Sequence, residues 1–252
     1  MGYFNVTVKP DILASKQHSA AFAAADVLFD WTAFDIPRGG GRLINATMIV
    51  RPKQNATPTK NNFGCFLLFA SSNDVSLGTL NSAADNRPNN DLLGMCEFES
   101  TTSFVNQYPS SNLASTGRSS NTNNQHPSVV LAKTPDATTP NVGYDRYYVS
   151  CLANGAWDFQ SIFQINDGDI NSTTPTTIEL DGTSIDAREV WLAGDVLHAH
   201  DDILLGTIDS ITDADTIVLT SATSGAGDAT TVADNDYVYN LNPIRIILSF
   251  EN

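Results

Sequence analysis

The chain has 252 residues and a formal net charge of −15, from 28 Asp and Glu against 13 Lys and Arg. That balance excludes nucleic acid and anionic lipid as main partners, because both need clustered Lys or Arg. No apolar run approaches the ~20 residues of a membrane span, Met1–Thr7 shows no basic-then-apolar leader, and 41% hydrophobic residues suffice for a core of one or two domains.

Residues 1–25 carry weak element signals and many small side chains, and are expected as an extended arm contacting a neighbouring subunit. Within them Ser15–Ala25 is Ala-rich enough for a short helix. Val27–Ile36, with Phe29, Trp31 and Phe34, reads as a strand of imperfect alternation, ended by Pro37 and Gly39-Gly40-Gly41. In Leu43–Arg51 the apolar parity is Ile44, Ala46, Met48 and Val50. Phe63–Phe69 is apolar on both parities, as in a central strand covered on both faces. The Ser/Asn/Thr-rich stretches Ser71–Pro88 and Ser110–Ser128 read as long surface loops. Tyr144–Leu152, rich in Tyr and Val, reads as a further strand. Trp157, Phe159, Phe163 and Ile165 share one parity, interrupted by Ser161, which predicts a half-buried strand. Ile244, Ile246, Leu248 and Phe250 alternate with Arg245, Ile247 and Ser249 and predict the last strand.

The charge is concentrated. Between Ile178 and Tyr239 thirteen acids accompany one base, Arg188, a net −12; the other 190 residues carry −3. These acids are spaced among Val, Ile and Leu, which predicts a folded module with an acidic, solvent-facing surface. Arg188–Ala193 and Val196–His198 flank a tight turn at Gly194-Asp195, Ile203–Ile211 and Thr216–Thr220 flank a hairpin turn at Thr212–Asp215, and Asp236–Tyr239 closes the set. Five short strands predict a small SH3-like β-barrel. A body strand follows it, so the module is an insertion, leaving the body near Asn171 at the exposed turn Ser172–Pro175. The predicted fold is all-β: an arm over 1–25, a jelly-roll-like β-sandwich over 26–175 plus 240–252, and an acidic inserted barrel over 176–239.

Catalytic machinery is sparse. The chain has no Gly-x-Ser-x-Gly, no Gly-Lys-Ser/Thr phosphate loop and no His-Glu-x-x-His. Backbone N–H groups of Gly39-Gly40-Gly41-Arg42 could hold an anion, but with no following helix or Lys the segment reads as a flexible turn. His198 and His200 would share one face of a strand, where two imidazoles can share a metal. Further ligands would have to come from afar, His18 and His126 being the other histidines, so His198-Ala199-His200-Asp201-Asp202 is read as a polar turn. Asp167-Gly168-Asp169 and Asp213-Ala214-Asp215 could bind calcium weakly, yet neither completes a calcium loop, and both read as turns. Trp31, Trp157 and Trp191 read as core residues rather than carbohydrate-stacking ones. Cys65, Cys96 and Cys151 read as buried thiols of a reducing compartment. Glycosylation-type triplets at Asn5, Asn45, Asn55 and Asn171 read as chance in an Asn/Thr-rich chain. No catalytic, cofactor-binding or metal-binding residue is assigned, and no cofactor is expected.

Phe29-Asp30-Trp31-Thr32-Ala33-Phe34-Asp35-Ile36-Pro37, Arg42–Pro52 and Ile211–Leu219 give a lysine-poor, Asn/Thr/Asp-rich, long-looped β texture. This texture, strongest over 25–70 and 185–250, resembles virion structural proteins of marine tailed phages, T4-like cyanophages among them. The resemblance implies a non-enzymatic head or tail component, first of all one that decorates or cements the capsid surface. Its implied partners are the major capsid protein or other virion subunits and further copies of itself, a trimer favoured, assembled in the bacterial cytoplasm. The alternative is a carbohydrate- or host-receptor-binding β module of a tail or baseplate; a hydrolase or metal enzyme ranks third.

Overall fold

A computed structural model describes residues 2–51, 64–85, 90–99, 104–108, 111–115, 129–131, 143–166, 176–182, 185–220 and 232–252. The first part of the chain forms β1 (Tyr3–Val8), α1 (Ala14–Ser19), β2 (Val27–Pro37), β3 (Gly41–Val50), β4 (Cys65–Ala70), β5 (Leu92–Phe98), β6 (Phe104–Tyr108), β7 (Ser111–Ser115), β8 (Val130–Leu131) and β9 (Tyr144–Ala153). The rest forms β10 (Thr177–Glu179), α2 (Ala187–Val190), β11 (Val196–Ala199), β12 (Leu204–Ile211), β13 (Thr216–Leu219), β14 (Val238–Asn240) and β15 (Ile244–Glu251).

The body is a rolled ladder. β1 pairs with β15, β2 with β9, β3 with β8 and β4 with β5, all antiparallel, so the pairs nest from the outside inwards. Rolling that long hairpin brings β15 against β3 and β9 against β4. The products are two sheets, β1-β15-β3 with β8, β7 and β6 beyond, and β2-β9-β4-β5. This is the jelly-roll winding, and the expected all-β sandwich is the fold of the body. Both inner faces feed one core. Phe34 of β2 lies 6.1 Å from Phe250 of β15 and 6.3 Å from Phe69 of β4, tying sheet to sheet.

Two register shifts explain imperfections in the sequence pattern. In β3 the ladder to β15 slips between Ser249 and Phe250, so Leu43 pairs with Phe250 while Asn45 pairs with Ser249. Leu43, Ala46, Met48 and Val50 are buried and Ile44 is only half-buried, correcting the parity expected at its first position. β2 slips between Val27 and Phe29 and again before Thr32, which is why its alternation is irregular.

The segment expected as an arm is instead part of the sandwich. All six residues of β1 are in register with β15, and Gly2 and Asn252 extend that ladder by exchanging backbone hydrogen bonds of 3.0 and 2.9 Å. Phe22 is fully buried, exchanging backbone hydrogen bonds with Trp157. The alternation of Phe4, Val6 and Val8 against Asn5 and Thr7 drives this: its apolar parity meets the core and its polar parity meets water.

The inserted unit is a barrel. Its sheet runs β10-β13-β12-β11-β14. Residues 163–166 close it, since Ile165 and Phe163 pair with the β14 edge through Asp236 and Val238, while Asn166 and Gln164 pair with β10 and the residues after it through Glu179 and Asp181. The module therefore begins at Phe163, earlier than the expected 176. Trp157 and Phe159 belong to the sandwich core, Phe163 and Ile165 to the barrel core. The predicted single strand over Trp157–Ile165 is thus a passage between two cores. Ser161, the one polar residue on its inward parity, sits at the crossing and accepts the Phe163 N–H. Arg188–Ala193, expected as a strand, begins inside α2: the Asp186 carboxylate caps the Arg188 N–H at 2.8 Å, and Asp186-x-x-Glu189 has the spacing of a capping box. The predicted exit at Asn171 and Ser172–Pro175 lies outside the described residues.

Candidate functional site

The most chemically loaded place is the seam where α1 of the sandwich meets the barrel. Ser15 donates to Asp202 twice, through its backbone N–H at 2.9 Å and its hydroxyl at 2.5 Å. Gln17, fully buried, donates its side-chain N–H to the carbonyls of Ile12 and Asn240. The Ile12 N–H reaches the Leu241 carbonyl, and Asn242 Nδ2 reaches Asp11 Oδ1 at 2.7 Å. At the far end of the seam Arg51 Nη1 lies 3.3 Å from Asp195 Oδ2, with the two side chains only 15% and 7% exposed. Asp195 also accepts the Leu192 N–H, so a carboxylate that closes a barrel turn doubles as the anchor for a body arginine.

An aromatic and imidazole cluster fills the middle. His18 lies 5.1 Å from His200 and 5.3 Å from Tyr237, ring centre to ring centre. His18 Nδ1 is 2.8 Å from the Tyr239 hydroxyl. The Tyr239 hydroxyl can donate to that nitrogen or accept from it, according to the imidazole tautomer. Burial pushes the Tyr239 phenol up to about 12, so it stays protonated. Burial, and then the neighbouring His200, hold His18 below the usual histidine range, with Asp236 pulling the other way. His200 Nδ1 faces Asp236 Oδ1 at 3.5 Å.

The residues singled out from sequence land as follows. His198 sits on β11 with Nδ1 3.0 Å from the Asp202 carbonyl, while His200 lies in the turn and turns to His18. Asp201 sits in the same turn, its Oδ1 accepting the Ile203 N–H at 3.4 Å. His126 and Asp167–Asp169 lie outside the described residues. Among the described residues no three His, Cys, Asp or Glu side chains come together to hold a metal. Asp213 accepts the N–H groups of Asp215 and Thr216, which hold its carboxyl below the usual range and build the hairpin turn. The Gly39 N–H is met by Asp145 Oδ2 at 3.0 Å, so the anion at the glycine turn is the chain's own carboxylate; Gly39 and Gly40 take φ of 112° and 84° there. Trp157 and Trp191 are core residues of the two units, and Trp31 donates Nε1–H to the Val75 carbonyl on the outer face of β2. Asn5 and Asn45 lie within β1 and β3; Asn55 and Asn171 lie outside the described residues.

Cys65, Cys96 and Cys151 are buried and unpaired inside the sandwich. Burial raises the Cys96 and Cys151 thiols far above the ordinary thiol range, and Cys65 adds to both shifts. A disulfide-exchange reagent is expected to label these thiols at least about a hundredfold more slowly in buffer than in denaturant. Equal rates would place a thiol at the surface.

One margin of the sandwich is apolar and open. Among the described residues β5 pairs with β4 alone and is the end strand of its sheet. Leu92 and Met95 on β5 and Val130 on neighbouring β8 are 43%, 59% and 56% exposed. Sequence alternation did not single them out, because an edge residue and a core residue look alike until the sheet order is known. Comparison of the chain with protein-family models and with curated proteins found no match.

Proposed function

We propose that the protein is a non-enzymatic structural component of a tailed-phage particle, decorating or cementing the capsid through subunit contacts. One observation carries the reading: a rigid rolled sandwich leaves an end strand, β5, with Leu92 and Met95 exposed beside Val130, a margin suited to strand pairing or apolar docking. The jelly-roll winding, shared by many capsid and lectin domains, supports it by analogy, as does the phage-like sequence texture. In this reading the margin meets the major capsid protein or a second copy around a trimer axis, and the acidic barrel faces water on the outside of the particle. The exposed Tyr144, beside the Gly39–Gly40 turn, favours the second reading, a glycan- or receptor-binding module.

The test is to add purified protein to empty shells of marine T4-like phages and sediment the particles. Saturable binding at a whole-number ratio per capsomer is expected, weakened at least about tenfold by Met95→Lys with no loss of thermal stability. Protein that stays in the supernatant with every shell, or binds a glycan array through Tyr144 instead, defeats the capsid reading.

A further inference from the structure

We propose that the His18–His200 pair is an acid-sensitive clasp that holds the barrel on the sandwich at neutral pH and releases it under mildly acidic conditions. The inference stands apart from the capsid reading.

The two imidazoles come from different units, His18 from α1 and His200 from the turn after β11, and their rings sit 5.1 Å apart across the seam. His18 Nδ1 also lies 2.8 Å from the Tyr239 hydroxyl, which can donate to the ring or accept from it, so the acid response is carried by the two neighbouring rings and the carboxylate beside them. The charged and titratable groups around the pair are few. Asp236 and Tyr237 approach from the lead-in to β14, and Tyr239 from β14 itself. Asp158 acts on Tyr239 from the passage between the cores, where Gln160 also donates to the His18 carbonyl. Asp201 and Asp202 lie in the His200 turn, Asp202 bonded to Ser15. One carboxylate, Asp236, can offset one positive ring. A positive charge on His18 stands 5.1 Å from the tilted His200 ring, while the nearest carboxylate, Asp236, already faces His200.

The sign follows from burial and from His200, which both disfavour the charged form of His18 in the folded state. The stabilisation is complete above the unfolded histidine value of about 6.5 and is lost as pH falls from there through the lower folded value.

Hydrogen exchange of the full chain, corrected for intrinsic rate, tests this at about pH 7.5 and about pH 5.5, above and below the ordinary histidine value. Peptides over 12–20 and 236–242 are expected to lose several-fold of their protection on acidification, while peptides over β4 keep theirs. His18→Gln is expected to abolish the acid response at the seam, and so is His200→Gln, which spares the bond to Tyr239. His198→Gln is expected to retain it. Seam protection equal at the two pH values in the unaltered chain, or the same acid loss in both the His18→Gln and His200→Gln variants, overturns the clasp.

Discussion

Removing residues 2–8 is expected to abolish the folded sandwich, so that the truncated chain is insoluble or lacks a cooperative melt. β1 contributes the half-buried Phe4 and Val6 and the buried Val8, and Phe4 stacks on Phe250 with ring centres 5.4 Å apart. At about 1.5–3 kcal/mol for each fully buried side chain, the loss is several kcal/mol before the ladder to β15 is counted. Whole domains are stable by about 5–15 kcal/mol. A detachable arm would give the opposite result: an unchanged melting temperature with altered self-association. A thermal melt of the truncated protein separates the two, and a retained transition would show that β1 is dispensable to the sheet.

Trp157→Ala is expected to cost about 3–5 kcal/mol, the range for emptying a buried aromatic site. The indole is fully buried against Phe22 and Phe159, and its Nε1–H donates to the Gly64 carbonyl at 2.9 Å. Truncation opens a cavity and removes one of that carbonyl's two donors, the Asn154 N–H at 2.6 Å remaining. Trp157→Phe keeps most of the volume and loses the hydrogen bond, so a smaller loss of about 1–2 kcal/mol is expected. Urea denaturation midpoints measure both. A tryptophan serving as a surface platform for sugar would shift stability by less than about 0.5 kcal/mol.

The strands of the rolled ladder were legible where the chain alternates against water or is wholly apolar. Ile244–Phe250 and Tyr144–Leu152 announce themselves, and of the doubly apolar run expected as a central strand the described part, Cys65–Phe69, lies in β4, whose outer side packs Leu68 on Val27 and Leu77. What alternation could not convey was partnership. The alternation of Phe4, Val6 and Val8 is too short to mark a strand by itself, and with its partner at the other end of the chain the segment looks like an arm. The four buried aromatic and aliphatic residues from Trp157 to Ile165 share one parity yet serve two cores, because parity records that a side chain is inside and not what it is inside of. The capping spacing at Asp186 and Glu189 was readable, yet α2 is one turn long and its apolar residues fit a strand equally well. The seam was the least readable part. His18 and Tyr239 are 221 residues apart, and Gln17 is buried on a helix where a polar residue is expected to face water. Its side-chain N–H groups are met only by carbonyls that folding brings to them, those of Ile12 and Asn240.

Because Gly2 and Asn252 exchange both backbone hydrogen bonds, the two extremities of the described chain occupy a single corner of the sandwich. Any polypeptide fused ahead of one or behind the other departs from the same point. A short bridging peptide could join them without disturbing the ladder, so that new extremities could be cut elsewhere, on a different side of the molecule.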